Sequence, residues 1–319
     1  MKIKIKIRRC DPLSADRYDT YIQAYTVEVA EGMTVLEALL KIADEDDPTL
    51  SFRRSCRSAI CGSCAMNING FPKLACRTQL AAEYRKRGEV ILEPLGNFKV
   101  IKDLVVDMDP FWKKIEKVSP YLTSGGEPPE GGWSISRDEA ARIDASQRCI
   151  MCGSCNASCN ATEVDERYIG PSALAKAWRF VGDVRDANAE RRLERLSEEH
   201  GMWDCVRCYH CTEYCPKEVS PLRAIEELRA RAMEYGITEN EGARHVEALV
   251  DSVRRVGRLD EAAMTFKTLG FLRSLGMIPF GLKMELHGKM PHPIIFPAIE
   301  GIDEVRAICK AVEAKKRGE

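Results

Sequence analysis

Long apolar runs and a large net charge are both missing from this sequence of 319 residues. No segment reaches the roughly 18 consecutive apolar residues that a membrane-spanning helix needs. The N-terminal residues alternate apolar with basic side chains, so they predict a half-buried strand and not a secretory signal peptide. Because the formal net charge is only −1, nothing in the composition favours nucleic acid or an anionic membrane surface as a partner.

Motifs for chemistry on a carbon substrate are missing as well. The sequence has no Gly-x-Gly and therefore no dinucleotide-binding fingerprint, and no pattern indicates a nucleophile paired with a general base. The hydrophobic content of 45% and the charged content of 30% are those of an ordinary globular protein, and the length allows two or three domains. We therefore predict no catalytic residue in this chain.

Cysteine, in contrast, is abundant, and 12 of the 14 cysteines fall into three runs. The first run is Cys56-x4-Cys61-x2-Cys64, followed by Cys76. The second is Cys149-x2-Cys152-x2-Cys155-x3-Cys159, and the third is Cys205-x2-Cys208-x2-Cys211-x3-Cys215. The first run has the plant-ferredoxin spacing of a 2Fe–2S cluster, and the other two together form the bacterial two-cluster pattern. Three clusters in one chain predict a carrier of single electrons.

The two-cluster pattern also predicts which cysteines share a cluster, because the fourth cysteine of each run binds the other cluster. The predicted ligands of one 4Fe–4S cluster are Cys149, Cys152, Cys155 and Cys215, and those of the second are Cys159, Cys205, Cys208 and Cys211. The 2Fe–2S ligands are Cys56, Cys61, Cys64 and Cys76. Neither 4Fe–4S site would exist until residues 149–159 meet residues 205–215, so cluster assembly constrains folding.

Structural zinc is the alternative reading of cysteine-rich runs. Zinc sites usually use separated Cys-x2-Cys pairs, whereas three cysteines stand in one row here. Without an export signal, the cysteine content points to metal sites in a reducing compartment and not to a disulfide framework. Cys10 and Cys309 lie outside the runs, and we expect both to be small buried hydrophobic residues.

Basic residues surround the first run. Arg53, Arg54 and Arg57 could donate hydrogen bonds to sulfur or dock an acidic partner. The alternative is a solvated basic loop, and the sequence does not decide between these interpretations. Gly62, between two cysteines of this run, is predicted to let backbone amides approach the sulfurs.

The periodicity predicts an α+β protein. Residues 1–105 form a β-rich domain, in which Asn69-Gly70 marks a hairpin turn that would bring Cys76 back toward the other three cysteines. Residues 106–135 are a connector with a loop rich in glycine and proline. Residues 136–236 are predicted to be helical and to carry the two-cluster pattern, and residues 237–319 form a helical C-terminal extension.

Several stretches resemble the iron–sulfur subunit of succinate dehydrogenase and fumarate reductase. They are SFRRSC at 51–56, CGSCAMNING at 61–70 and LAC at 74–76, together with PL at 94–95, VIKDLV at 100–105 and PYL at 120–122, which resemble the connector of that family. The resemblance covers residues 1–235. It implies a β-grasp, plant-type 2Fe–2S ferredoxin domain followed by an all-α ferredoxin domain with two clusters.

The same resemblance implies partners and a location. A flavoprotein subunit would interconvert succinate and fumarate at its FAD, and electrons would pass from there through the 2Fe–2S cluster and the first 4Fe–4S cluster to the last one. A further subunit would bind the quinone. The chain would lie peripherally on the cytoplasmic side of the cell or inner membrane, held by its partners, and would serve the respiratory chain and the tricarboxylic acid cycle.

The third run departs from the family's common pattern. Most members resemble Cys-x5-Cys-x3-Cys there and hold a 3Fe–4S cluster, whereas Cys208 adds a thiolate and predicts 4Fe–4S, with 3Fe–4S as the alternative. The common form also has Pro and Trp after the second run and His in the third, lining a quinone pocket. Asn160, Ala161 and Val206 stand in that region here, so no quinone-binding residue is assigned.

The extra cysteine and the long tail are similar to a divergent branch of the family. Its members pair with a separate cysteine-rich subunit, like one in heterodisulfide reductases, in place of a hydrophobic haem-binding anchor. Beyond residue 235 only Cys309 is present, so we expect the cysteine-rich module to be a separate subunit. We interpret the apolar stretches 271–282 and 291–297, which glycine and proline interrupt, as a surface for docking a partner; an ordinary core and membrane contact are the alternatives.

Three functions follow from these features. The leading one is the electron-transfer subunit of a succinate:quinone oxidoreductase or of a quinol-dependent fumarate reductase. A subunit of a thiol- or heterodisulfide-linked reductase would deliver electrons to a disulfide instead. A free ferredoxin-like carrier would not co-purify with a flavoprotein in fixed proportion. The net direction of the reaction depends on the potentials of the clusters and of the acceptor.

Overall fold

The alternating N-terminal isoleucines form the first strand of a five-stranded sheet, with Ile3, Ile5 and Ile7 fully buried. The computed structural model describes residues 1–10, 20–290 and 297–317. The strands are β1 (Lys2–Cys10), β2 (Thr20–Glu28), β3 (Ala65–Ile68), β4 (Phe71–Leu74) and β5 (Val90–Glu93). Their order is β2-β1-β5-β3-β4, with β1 and β5 parallel and the other neighbours antiparallel.

Two helices complete this β-grasp domain. The helix α1 (Val35–Lys41) begins at the capping box of Thr34 and Glu37, continues as a short π-helical turn (Ile42–Asp46), and buries its apolar side against the sheet. The helix α2 (Leu80–Arg87) precedes β5. The turn between β3 and β4 is the predicted Asn69-Gly70, where both residues have positive φ, 54° and 82°.

After β5 come the two-stranded ladder of β6 (Val100–Lys102) and β7 (Val105–Val106), then α3 (Asp109–Lys117). From residue 136 the described chain is helical: α4 (Arg137–Gln147), α5 (Ser154–Ala157), α6 (Asn160–Val164), α7 (Pro171–Val181), α8 (Ala189–Leu196), α9 (His210–Glu213) and α10 (Pro221–Glu234). The short helices α5 and α9 lie inside the second and third cysteine runs, and each run leads to a longer helix that starts with proline. The prediction of a sheet-rich domain followed by an all-α domain is confirmed.

The chain divides into two compact units, Met1–Arg231 and Ala232–Glu319. The second unit contains α11 (Glu241–Val256), α12 (Glu261–Leu269), α13 (Phe271–Leu275), α14 (Ile278–Leu286) and α15 (Ile302–Arg317). Within it, α11 contacts both α12 and α15. Among the described residues, no helix combines the length and the apolar character required to span a bilayer.

The first apolar stretch of the tail forms α13 and α14. It does not build a core there, because α14 has no buried side chain and Leu272 and Leu286 are 82% and 85% exposed. The second stretch lies outside the described residues except for Pro297. Cys10 is buried as predicted, but the prediction for Cys309 is wrong: this side chain is only partly buried, because most of the α15 surface is exposed.

Candidate iron–sulfur sites

Backbone amides surround the sulfurs of the first cysteine group. The N–H groups of Ser58, Ile60 and Cys61 donate to Cys56 Sγ over 3.3–3.4 Å, and Ala59 N–H donates to Cys76 Sγ over 3.3 Å. The loop turns its amides inward because Arg57 and Ala59 adopt positive φ, 55° each. Such donors stabilise negative charge on sulfur and so tune a bound cluster.

The basic residues of this loop make no hydrogen bond to a cysteine sulfur in the part of the chain that the structure describes. Arg54 lies over the Phe52 ring at 5.9 Å, and Arg54 and Arg57 are exposed. Hydrogen bonds to the sulfur of a bound cluster, docking of an acidic partner and a solvated loop all stay open as interpretations of these arginines.

The thiols of the first group differ in acidity when no iron is bound. Burial raises the pKa of Cys64 to about 12, whereas hydrogen bonds from Ser63 and Cys56 lower the pKa of the exposed Cys61 to about 6. Because iron binds thiolates, filling this site must release protons, and the buried Cys64 thiol is among the groups that lose one.

A buried ion pair anchors the segment that leads into this loop. Asp103, in the turn between β6 and β7, accepts hydrogen bonds from Arg9 Nε at 2.9 Å, from Cys10 N–H at 3.1 Å and from Ser51 N–H at 2.9 Å. It thereby joins β1, the turn between β6 and β7 and the start of the cysteine loop. The sequence signal was available, since Arg9 continues the inward-facing positions of Ile3, Ile5 and Ile7 and therefore needs a buried partner.

The second cysteine group lines a small cavity in the all-α domain. Its four cysteines are Cys149, Cys152, Cys155 and Cys215. Burial raises the pKa of the Cys149, Cys152 and Cys155 thiols. Val219 N–H donates to Cys215 Sγ over 3.4 Å. One cysteine of the third run thus joins three of the second, as the two-cluster pattern predicts.

The third group lines a separate small cavity. It contains Cys159, Cys205, Cys208 and Cys211, with Tyr168, Leu222 and Ile225 among the other lining residues. Burial raises the pKa of Cys205 and raises that of Cys211 to about 12. Each four-thiol cavity is therefore built from both runs, and this donor set fits a cubane cluster.

In the second and third runs, the residues on both sides of the second cysteine have positive φ angles. Cys152 lies between Met151 and Gly153, whose φ angles are 52° and 80°. Cys208 lies between Arg207 and Tyr209, with φ angles of 56° and 69°. Left-handed residues on both sides therefore give Cys208 the local conformation of Cys152, although Arg207 and Tyr209 are types for which it is uncommon.

The first group lies directly against the second. A Cβ atom added to Gly62 would be 2.8 Å from Cys152 Cβ and 3.0 Å from Cys152 Cα. Arg77 Nη1 donates to Pro216 O over 3.0 Å, and Asn97 Nδ2 donates to Cys159 O over 3.0 Å. Gly62 is thus needed for the close approach of two cysteine loops, and its predicted role of letting backbone amides approach the sulfurs stays a prediction.

Comparison with known proteins identifies the family. Residues 4–113 match a 2Fe–2S iron–sulfur cluster binding domain, and residues 145–219 match a 4Fe–4S dicluster domain. The 8-methylmenaquinol:fumarate reductase iron–sulfur subunit of Wolinella succinogenes is 35% identical over 312 residues, which is 94% of this chain and 97% of that protein. The succinate dehydrogenase iron–sulfur subunit of Paracoccus denitrificans is 38% identical over 71% of this chain and 86% of that protein. This chain is an iron–sulfur subunit of the succinate dehydrogenase and fumarate reductase family.

Another relative and a solved structure agree. The mitochondrial succinate dehydrogenase iron–sulfur subunit 1 of rice is 38% identical over 72% of this chain and 81% of that protein. A chain of the Mycobacterium smegmatis Sdh1 complex superposes with a TM-score of 0.67 at 26% identity, covering 73% of this subunit and 96% of that chain. The subunit therefore carries a 2Fe–2S domain and a 4Fe–4S dicluster domain and transfers electrons within an oxidoreductase complex.

We predict that Gly62→Ala weakens the packing of the two cysteine loops. Gly70→Ala is the matched control, because Gly70 has a similar φ of 82° but nothing within 4 Å of its added Cβ. Both changes strain the backbone, and overpacking should cost Gly62→Ala roughly 1–3 kcal/mol more. The measurement is the temperature at which the visible absorbance of the clusters is lost. Equal losses in the two variants would show that the contact with Cys152 does not matter.

Proposed function

We propose that this subunit carries electrons between the FAD of a flavoprotein, where succinate and fumarate interconvert, and a quinone bound by a further subunit. The observation that carries the proposal is the continuous row of three four-cysteine groups. The first group touches the second at Gly62 and Cys152, and the second and third share their two cysteine runs. Single-electron transfer across a subunit requires that neighbouring clusters lie close together, and neighbouring cysteine groups would place them so.

The proposed ligands are those of the three groups: Cys56, Cys61, Cys64 and Cys76 for 2Fe–2S; Cys149, Cys152, Cys155 and Cys215 for one 4Fe–4S cluster; Cys159, Cys205, Cys208 and Cys211 for the other. Bound clusters supply single-electron transfer at potentials set by burial and by hydrogen bonds to sulfur. The matching backbone at Cys152 and Cys208 supports a fourth thiolate in the last group. Burial excludes water from Cys64 and Cys211.

Exposed apolar side chains at both ends of the row support two docking faces. Ile60, beside Cys61, is 65% exposed, and Val206 and Tyr209, beside the third group, are 64% and 63% exposed. We assign the first face to the flavoprotein and the second to the quinone-side subunit. Apolar contact at these ends would bring each redox partner close to the nearest cluster.

The tail supports a quinone-side partner of the cysteine-rich type. The match to the Wolinella subunit must include most of the tail, because it covers 94% of this chain, whereas the two succinate dehydrogenase subunits cover 71% and 72%. The exposed apolar side chains of α13 and α14 would form the docking surface. We infer that the complex takes electrons from, or gives them to, a menaquinone-like quinone. These partners would hold the subunit peripherally on the cytoplasmic side of the cell or inner membrane.

Purification of the native complex through a tag on this chain tests the function. We expect an FAD-containing flavoprotein and a cysteine-rich subunit in fixed proportion, and oxidation of a reduced menaquinone analogue coupled to fumarate reduction. Isolation without any flavoprotein would contradict the proposal and favour a free carrier. Fumarate reduction driven by a dithiol, with no response to quinol, would favour the thiol-linked alternative.

We predict that Cys208→Ser affects only the last cluster. The 2Fe–2S signal should persist in the electron paramagnetic resonance (EPR) spectrum, while the last cluster becomes 3Fe–4S or is lost, because one thiolate is missing. Cys309→Ser is the control, since Cys309 lies outside the three groups and should leave all signals unchanged. A 3Fe–4S signal in oxidised, undamaged wild-type protein would contradict the assignment of Cys208.

A further inference from the structure

Arg229 on α10 is a buried cation beside the third cysteine group, with only 6% of its surface exposed. Its guanidinium donates to the carbonyl oxygens of the segment that enters the third run: Nε and Nη2 to Met202 O at 3.0 and 2.7 Å, and Nη2 to Trp203 O and to Cys205 O at 2.9 Å each. The Trp203 ring lies 5.3 Å away. These contacts hold the guanidinium in one place, but the accepting carbonyl oxygens carry only partial negative charge.

Other buried arginines of this subunit are compensated differently. Arg9 pairs with Asp47 and Asp103, and Arg192 pairs with Asp186. In the described part of the chain no carboxylate lies within salt-bridge distance of Arg229. A buried charge without a counter-charge is costly, so a compensating negative group is expected nearby.

The third cysteine group lies beside the guanidinium, because Nη2 of Arg229 donates to the carbonyl oxygen of Cys205. Cys205 is one of four thiols around the same cavity. Four thiolates on a cluster would concentrate negative charge beside the guanidinium, and a low-dielectric interior would strengthen the attraction.

We propose that Arg229 is the counter-charge of the last cluster and sets its reduction potential. This inference rests on the proposed ligation by Cys159, Cys205, Cys208 and Cys211. One-electron reduction adds one negative charge to the cluster and, in this proposal, breaks no bond and moves no proton. A fixed positive charge nearby favours the reduced state, so Arg229 raises the potential at the end of the row. It is a positioning residue, because it touches the Cys205 carbonyl and not the cluster.

The test is an EPR-monitored redox titration of the purified complex. In Arg229→Gln the equilibrium constant for one-electron reduction of the last cluster should decrease about tenfold. This corresponds to a reduction potential lower by about 59 mV. Arg229→Lys keeps the charge and should change the potential much less. Arg223→Gln is the matched control: it removes the same charge from the same helix, but its side chain is 81% exposed and pairs with Glu227, so the potential should not move. The 2Fe–2S potential should be unchanged in all three variants.

The outcomes separate the inference from the proposed function. An intact last cluster with an unchanged potential in Arg229→Gln would overturn the inference and leave the ligand set standing. Loss of the last cluster in both Arg229 variants would also overturn it, because the residue would then act by packing alone. Loss in Arg229→Gln but retention in Arg229→Lys would support it. Wild-type complex without a signal from the last cluster would overturn the inference and the ligand set together.

Discussion

The sharing of cysteines between two chain segments is the constraint on which the all-α domain depends. Cys215 lies with the cysteines of the second run, and Cys159 with those of the third. Neither cavity can close unless residues 149–159 and 205–215 come together. The intervening helices α7 and α8 must therefore return the chain to its starting point, and α5 and α9 must present their runs to each other.

Burial in these cavities has an electrostatic consequence. Thiols of all three groups have a pKa raised by burial, as at Cys64, Cys155 and Cys211, so the cluster-free protein keeps their protons. Iron binding exchanges those protons for metal, and the folding of the domain is thereby coupled to cluster insertion. The positive charge of Arg229 has a partner of matching strength only once that exchange has occurred.

The sequence predicted those features that local spacing controls. Cysteine intervals indicated the three groups because a tight turn between ligands is a local property, and Asn69-Gly70 indicated its hairpin for the same reason. Contacts between distant segments were missed: the approach of Gly62 to Cys152, the anchoring of Ser51 by Asp103, and the carbonyl cage of Arg229. Each of these contacts depends on how separate elements pack. Only the position of Arg9 on the inward-facing side of β1 indicated in the sequence that a buried partner was needed. The backbone amides that donate to Cys56 and Cys76 were missed as well, because charge near the first run drew attention to its arginines.

The central claim is that twelve thiolates hold three clusters in one chain, and counting iron tests it most directly. Iron and acid-labile sulfide should be measured on anaerobically purified subunit, with Mössbauer spectra to separate the cluster types. The account predicts about ten irons and ten sulfides per chain, with one 2Fe–2S and two 4Fe–4S components. About six irons, or zinc in place of iron in either four-cysteine cavity, would contradict it.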